Sequence, residues 1–447
     1  MLDTFSTLVG QIASLLWGSP VTLIVLLGTG LYLTVRLRFV QVRGFRYALR
    51  EVSGGPAGEG EVSGFRALST ALSATVGTGN IAGVATAITF GGPGALFWMW
   101  ATAVVGMATK FAESTLALNF REFSPDGSAA GGPMYTLKNG LKQPLLAGAF
   151  ATFAMIASFG IGNMVQANSV VDGIRFAWPR AGAHDLTIGI TMATLVALVI
   201  IGGVKRIARV ASILVPFMSV IYIGAGLIVL AAHAPELPGT FALVVKSAFS
   251  TEAATGAVAG EAIRWGIARG LFSNEAGLGS SAMAFAAMKA DRPAQAGLVN
   301  MLGPFFDTLV VCSITGFVIL VTGAWLDAPE SAKGAALTAF AFAEVFGAAG
   351  TKVVALGLAL FAFSTTVAWS YYGDRCARFL FGARAGLPYR CLYVVLIVVG
   401  ATSQLTLVWN VADVMNILMA VPNVIALVLL AGVADRLRRE YLAGVRE

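Results

Sequence analysis

Charge is scarce in this sequence, and histidine and cysteine are scarcer still. Only 12% of the 447 residues are charged, against roughly 25% in a soluble domain. That shortfall excludes an ordinary water-exposed globular surface. The two histidines, His184 and His233, fall in or beside predicted loops, and Cys312, Cys376 and Cys391 lie far apart. None of them makes a metal-ligand or redox spacing. An intramembrane enzyme needs a convergent acid–base or metal set, and these residues supply none. A basic amino-terminal leader is also missing. The first apolar run follows Met-Leu-Asp, is too long for a signal-peptide core and shows no small-residue cleavage site, so it reads as a retained span.

What the chain does have is apolar sequence, 57% of it, almost end to end. A hydrocarbon core needs about 20 such residues per helix. Hydropathy and breakers predict about eleven spans: 12–36, 65–90, 93–118, 144–173, 185–203, 209–232, 255–287, 294–325, 350–380, 389–405 and 410–432. The chain is therefore expected to be a single all-α polytopic membrane domain over 1–447, with a lipid bilayer as its solvent. Surface helices are expected in the longer connections at about 233–254 and 326–349.

The net charge of +7 follows from membrane insertion rather than from a nucleic-acid partner. With the amino terminus outside, inner loops and helix ends carry 23 of the 30 Lys and Arg. The other seven are Arg175, Arg180, Lys246, Arg264, Arg269, Lys333 and Lys352. The bias predicts an inner-membrane protein with its amino terminus outside and its carboxyl terminus in the cytoplasm.

Two spans are interrupted by glycine. One reads Ser73-Ala74-Thr75-Val76-Gly77-Thr78-Gly79-Asn80. The other reads Phe272-Ser273-Asn274-Glu275-Ala276-Gly277-Leu278-Gly279-Ser280-Ser281. With 12–36 set aside as an extra helix, the breaks fall in core helices 1 and 6. The core then divides into two five-helix halves, 65–232 and 255–432. Five is odd, so the halves enter the membrane from opposite sides, an inverted repeat in which broken helices form a midplane site. Unwound backbone exposes amides and carbonyls that lipid cannot satisfy, so they must face a ligand. Amides suit a carboxylate, and carbonyls suit sodium or an ammonium group. The alternative is that these glycines only let helices pack closely, since Gly79 and Gly83 also make a G-x-x-x-G. A dinucleotide loop is excluded, because no strand–helix alternation surrounds either motif. A channel would show a repeated filter or a ring of like charge, which two dissimilar breaks do not supply.

The stretch ALSATVGTGNIAGVATAITFGGPGALFWMW, the GGPMYTL loop at Gly131–Leu137 and the run GIARGLFSNEAGLGSS resemble the alanine or glycine:cation symporter family. That family belongs to the amino acid–polyamine–organocation superfamily, and the resemblance implies a LeuT-type fold. It also implies sodium-coupled uptake of alanine or glycine. By analogy with that fold, the substrate carboxylate meets the amides of Thr78 and Gly79, with Asn80 adjacent. The ammonium faces carbonyls near Phe272 and the turn from Ser273 to Gly277. Gln166 is costly in a span unless it bonds something, so it either lines the site or bridges two helices. Asn163, one turn earlier, poses the same choice.

The adjacent hydroxyls of Thr365 and Thr366 suit a sodium site with the carbonyls of Ala362, Ser73 and Val76, because a hard cation prefers oxygen. Back-bonding to the preceding turn is the competing use of such hydroxyls. Trp369, one turn on, is placed to wall the pocket and keep side chains small. Several ionisable residues also lie within spans. Lys110 and Glu113 have a spacing that suits an ion pair. Asp307 is the deepest lone carboxylate, and Glu275 sits at the second break as an acceptor. Arg264 and Arg269, with Glu261 nearby, suit an outer gate. The rival to sodium coupling is a proton-coupled or differently selective carrier of the same fold, in which Glu275 or Asp307 titrates. Oligomeric state is not readable.

Overall fold

A computed structural model describes residues 2–55, 58–124, 127–178, 184–249, 257–329, 332–403 and 406–444. Arg180, Arg446 and the first two residues of the predicted span 255–287 lie outside the described residues. Almost everything described is helix. The two-stranded ribbon β1 (Glu122–Phe123) and β2 (Ala129–Ala130) pairs antiparallel in a loop.

The first apolar run is longer than the predicted 12–36 and is two helices, α1 (Leu2–Gly18) and α2 (Pro20–Arg36). Ser19 caps α2 by accepting from the Val21 amide at 3.2 Å, and Pro20 takes the first position, where a missing N–H costs nothing. A short amphipathic helix, α3 (Phe45–Ser53), follows. The first interrupted span is α4 (Gly64–Thr75) and α5 (Gly79–Gly91), bent by 54°. Next come α6 (Gly94–Asn119), α7 (Pro144–Ala177), α8 (Asp185–Ile200) and α9 (Gly203–Ala232). A surface helix, α10 (Leu237–Phe249), leads to the second interrupted span, α11 (Ala257–Asn274) and α12 (Ala282–Ala286). Then follow α13 (Pro293–Val321), the short α14 (Ala335–Phe346), α15 (Ala348–Phe381), α16 (Gly386–Thr402), α17 (Thr406–Leu429) and α18 (Ala431–Ala443).

Among the described residues, seven helices are long and apolar enough to cross a membrane, and nine if each bent pair is one span. The 16-residue α8 is shorter than such a span needs without local thinning of the bilayer or snorkelling of its flanking residues. Apolar side chains face outward on α2, α8, α9 and α16, as Ile24, Leu198, Val220 and Val395 show. Polar residues are gathered inside, where Ser73, Asn80, Gln166, Asp307 and Thr365 are all buried. That distribution is the one lipid requires.

Helix α15 runs through the centre. It packs on α4, α7 and α9, while α6 packs along α11, α8 along α16 and α7 along α17. The ends of the interrupted spans on one side are zipped together. Glu61 and Val62 donate their amides to the Ala287 carbonyl, and the Lys289 amide donates to Val62. The Arg121 guanidinium spans the seam, donating to the carbonyls of Glu59, Ala286 and Met288 at 2.9–3.1 Å. The GGPM turn wedges beneath it: a Cβ on Gly131 would fall 2.5 Å from that of Ala286, so glycine is required there.

Candidate functional site

The chain leaves α4 at Val76, whose amide still donates to Leu72, and resumes helix at Gly79 through a wide π-type turn, Gly79–Gly83. Asn80 ties this break together. Its Oδ1 accepts from the Gly77 amide at 2.9 Å, and its Nδ2 donates to Asp307 Oδ1 at 2.7 Å. Asp307 accepts further from Ser273 Oγ and Thr308 Oγ1, each at 2.8 Å. So Asn80, Ser273 and Asp307 join α5, α11 and α13 around one buried carboxylate. Asp307 sits on a second π-type stretch, Phe305–Cys312, and a third, Gly160–Met164, lies just before Gln166. Such local widenings recur at functional sites.

Beside the break, Gln166 Nε2 donates to the Ile161 carbonyl at 2.9 Å and to Thr78 Oγ1 at 3.4 Å. Its Oε1 is buried and unpartnered, and so is Thr365 Oγ1. Both point at Gly77. A Cβ there would lie 2.6 Å from Thr365 Oγ1 and 3.7 Å from Gln166 Oε1. A native interior leaves few buried polar atoms bare, and each needs an explanation. Two of them around an unwound backbone make a place for a polar ligand. Just outside it, a hollow of about 230 Å³ is lined by Thr78, Gly79, Phe272, Arg269, Trp409 and Asp413, among others.

Gly79 and Gly83 do not serve close helix packing. Nothing lies within 4 Å of where a Cβ on Gly83 would be, and one on Gly79 would make ordinary contact at 3.5 Å with Phe272 and Ser273. Gly79 is helical, so no left-handed conformation constrains it. The left-handed positions are in the second break, at Glu275 (φ 54°), Gly277 (φ 93°) and Gly279 (φ 79°).

That second break already has a carboxylate. Glu113 Oε1, from α6, accepts the amides of Gly277 and Gly279 at 2.9 and 3.1 Å, and Asn423 Nδ2 at 2.9 Å. The Gly277 carbonyl accepts from Asn423 as well. Gly277 thus faces Glu113 and Asn423 rather than Thr78. The expected Lys110–Glu113 pair is replaced: Lys110 Nζ donates to Ser281 Oγ at 2.8 Å while Glu113 reaches across to the break. Glu275 is an acceptor, as expected of it. It takes Ser280 Oγ on one oxygen and the Trp369 indole N–H, at 3.1 Å, on the other. Trp369 is therefore pinned to the second break, with its ring edge-on to Tyr372 at 5.6 Å.

The structure brings some of the expected cation ligands together. Ser73 and Ser364 exchange hydrogen bonds between α4 and α15, Oγ to carbonyl in both directions, at 2.8 and 3.1 Å. Thr366 Oγ1 donates to the Ala362 carbonyl at 2.9 Å, so two of the expected ligands are bonded to each other. Tyr393 donates to the Thr366 carbonyl. Asn163 bridges helices, donating to the Tyr393 carbonyl at 2.6 Å. Nearer the start of α11, Arg264 pairs with Glu261 at 3.3 Å on its own helix. Arg269 lies over the rings of Trp265 and Phe272, 5.3 and 5.6 Å from their centres, and faces Asp413 across the hollow. Asp413, Ser364 and Asn423 carry no signal in the sequence beyond being polar within a span.

Discontinuous helices around a buried, partly unsatisfied polar centre are the arrangement of a membrane transporter. The comparison with known proteins is specific. The sequence profile of the sodium:alanine symporter family matches residues 2–447, and the chain belongs to that family. It is 47% identical to the sodium/alanine symporter AgcS of Methanococcus maripaludis, over 96% of this chain and 95% of that one. It is 37% identical to GlnT of Bacillus subtilis, a "probable sodium/glutamine symporter", over 99% and 91%. It is 36% identical to the amino-acid carrier protein AlsT of the same organism, over 99% and 93%. These relatives are transporters, and the chain is a membrane transporter rather than an enzyme.

Proposed function

We propose that this chain imports alanine and glycine by sodium symport through alternating access. The observation that carries the proposal is the convergence of Gln166 Oε1 and Thr365 Oγ1, both buried and unpartnered, on Gly77 at the first break. Thr78, Gly79 and Asn80 hold the carboxylate end in this reading. Phe272, Ser273 and Gln166 surround the ammonium end, and Trp369 closes the floor. Gly277 shapes the second break, which Glu113 already saturates. Sodium is a second substrate, held by Thr365 with the Thr366 hydroxyl and the carbonyls of Ser73, Val76 and Ala362. An unpartnered threonine hydroxyl beside the open carboxyl end of α4 offers a hard cation the oxygens it prefers.

The architecture in this proposal is the LeuT-type one: ten core helices in two inverted halves, 65–232 and 255–432, after an extra amino-terminal helix. Matched contacts support it. Core helices 3 and 8 touch, as do 4 and 9, and the pairing of 3 with 10 is mirrored by that of 8 with 5. The amino terminus lies outside the cell membrane and the Arg121 seam lies at the cytoplasmic face. Opening that seam while the Arg269 side closes would complete a transport cycle.

Purified protein in liposomes should accumulate labelled alanine when sodium is higher outside, with pH equal on both sides. Unlabelled glycine should compete, and leucine should not. Accumulation driven by a pH gradient alone would replace sodium by protons, and equal competition by leucine or glutamine would overturn the small-pocket reading.

A further inference from the structure

We infer that the two ends of the chain build a site for the phosphate of an anionic phospholipid headgroup, between the turn after α2 and the last helix, α18. Arg38, Arg43 and Tyr47 from one end, and Arg438, Arg439 and Leu442 from the other, line a hollow of about 600 Å³. Four guanidiniums separated by almost the whole sequence converge on one space, which scattered loop charge does not do.

The charge there is only partly neutralised from within. Asp435 lies behind the hollow, buried, and already accepts Arg438 Nη2 at 2.8 Å and Arg439 Nε at 3.3 Å. Glu51 on α3 is engaged elsewhere, by Tyr441 Oη at 2.5 Å and Gln295 Nε2 at 2.8 Å. Glu440 pairs with Arg436 at 3.6 Å. Among the described residues, Arg38 and Arg43 have no carboxylate within ion-pair distance. The hollow therefore holds more positive charge than its own chain answers, and guanidinium is the group best shaped to grip phosphate oxygens.

The backbone and the apolar surface point the same way. Arg38 and Phe39 are both left-handed, at φ 55° and 58°. Non-glycine residues hold that conformation only where their surroundings enforce it. The turn is fixed by the Phe39 amide donating to Thr34 at 2.7 Å. It leaves Phe39 51% and Val42 72% exposed immediately beside the arginines. Cationic side chains next to exposed apolar ones at a span end match a phosphodiester with acyl chains attached. A soluble phosphate needs no such flank. The consequence is a lipid that links the extra amino-terminal helix to the carboxyl-terminal helix.

The test uses the full-length protein in nanodiscs of phosphatidylglycerol and phosphatidylcholine in equal parts, with the lipid retained on stripping read by native mass spectrometry. Wild type should retain phosphatidylglycerol preferentially, and Arg38→Gln with Arg43→Gln should lose about tenfold of that preference. Arg206→Gln with Arg384→Gln removes the same charge from exposed positions outside the hollow and should lose none. The Arg38→Lys, Arg43→Lys pair keeps the charge and should keep most of the preference, which guards against a merely misfolded Gln variant. Equal retention of both lipids by wild type, or equal losses in the Gln variant and the control, would overturn the inference. So would displacement of the lipid by millimolar inorganic phosphate, which would assign the hollow to a free anion.

Discussion

Glu113→Ala should destabilise the protein strongly, because that one buried carboxylate oxygen holds two amides of the second break. Its loss strands the amides of Gly277 and Gly279 in the interior and leaves Asn423 with the Gly277 carbonyl alone. Each buried polar group left unsatisfied costs about 1–3 kcal/mol, so the two amides together cost roughly 2–6 kcal/mol. Glu275, Gly277 and Gly279 are held in left-handed conformations, so the segment cannot recover by becoming helix without rebuilding its contacts. Thermal unfolding of the purified variant should move sharply down, with alanine uptake lost. Glu113→Gln keeps an acceptor oxygen and should fold, with a smaller drop. A Glu113→Ala protein that melts and transports like wild type would show that the carboxylate does not hold the break.

The second large effect is expected at Gly77. Adding one methyl group there places it 2.6 Å from Thr365 Oγ1, inside the space where two bare polar atoms meet. Overpacking of this kind costs about 1–3 kcal/mol, which is roughly a five- to 150-fold loss in affinity when the crowded space is the binding site. Gly77→Ala should therefore bind alanine much more weakly while inserting and folding. Gly83→Ala, where the added Cβ meets nothing within 4 Å, should bind within a few-fold of wild type. Equal effects at the two positions, or normal binding by Gly77→Ala, would move the substrate away from the first break.

The breaks themselves are legible in the sequence, because glycine pairs within apolar runs have few other uses. Their partners are not. Lys110 and Glu113 suggest an ion pair by spacing, yet each finds a better partner at the second break, more than 160 residues away. Local spacing registers only what lies on one helix. The same limit applies to Asp307, which reads as a lone carboxylate and is in fact surrounded by Asn80, Ser273 and Thr308. Thr365 and Thr366 look equivalent in sequence. Helical geometry separates them by about 100°: the Thr365 hydroxyl lies at Gly77 unpartnered, and the Thr366 hydroxyl donates to the Ala362 carbonyl. The π-type turns that aim Asn80, Gln166 and Asp307 have no residue signature of their own. The bend at Ser19 and Pro20 was written in the sequence as a capping serine followed by proline, within a run that hydropathy treats as continuous.

Linkage between the two substrates is the most direct measurement. If sodium and alanine share the first break, each must tighten the other's binding by the same factor. Equilibrium binding of labelled alanine to the purified protein should be markedly stronger in sodium than in potassium at equal ionic strength. In Thr365→Val, which removes the unpartnered hydroxyl but keeps the shape, the two salts should give the same affinity. Equal alanine affinity in both salts for wild type, or full sodium dependence in Thr365→Val, would contradict the account.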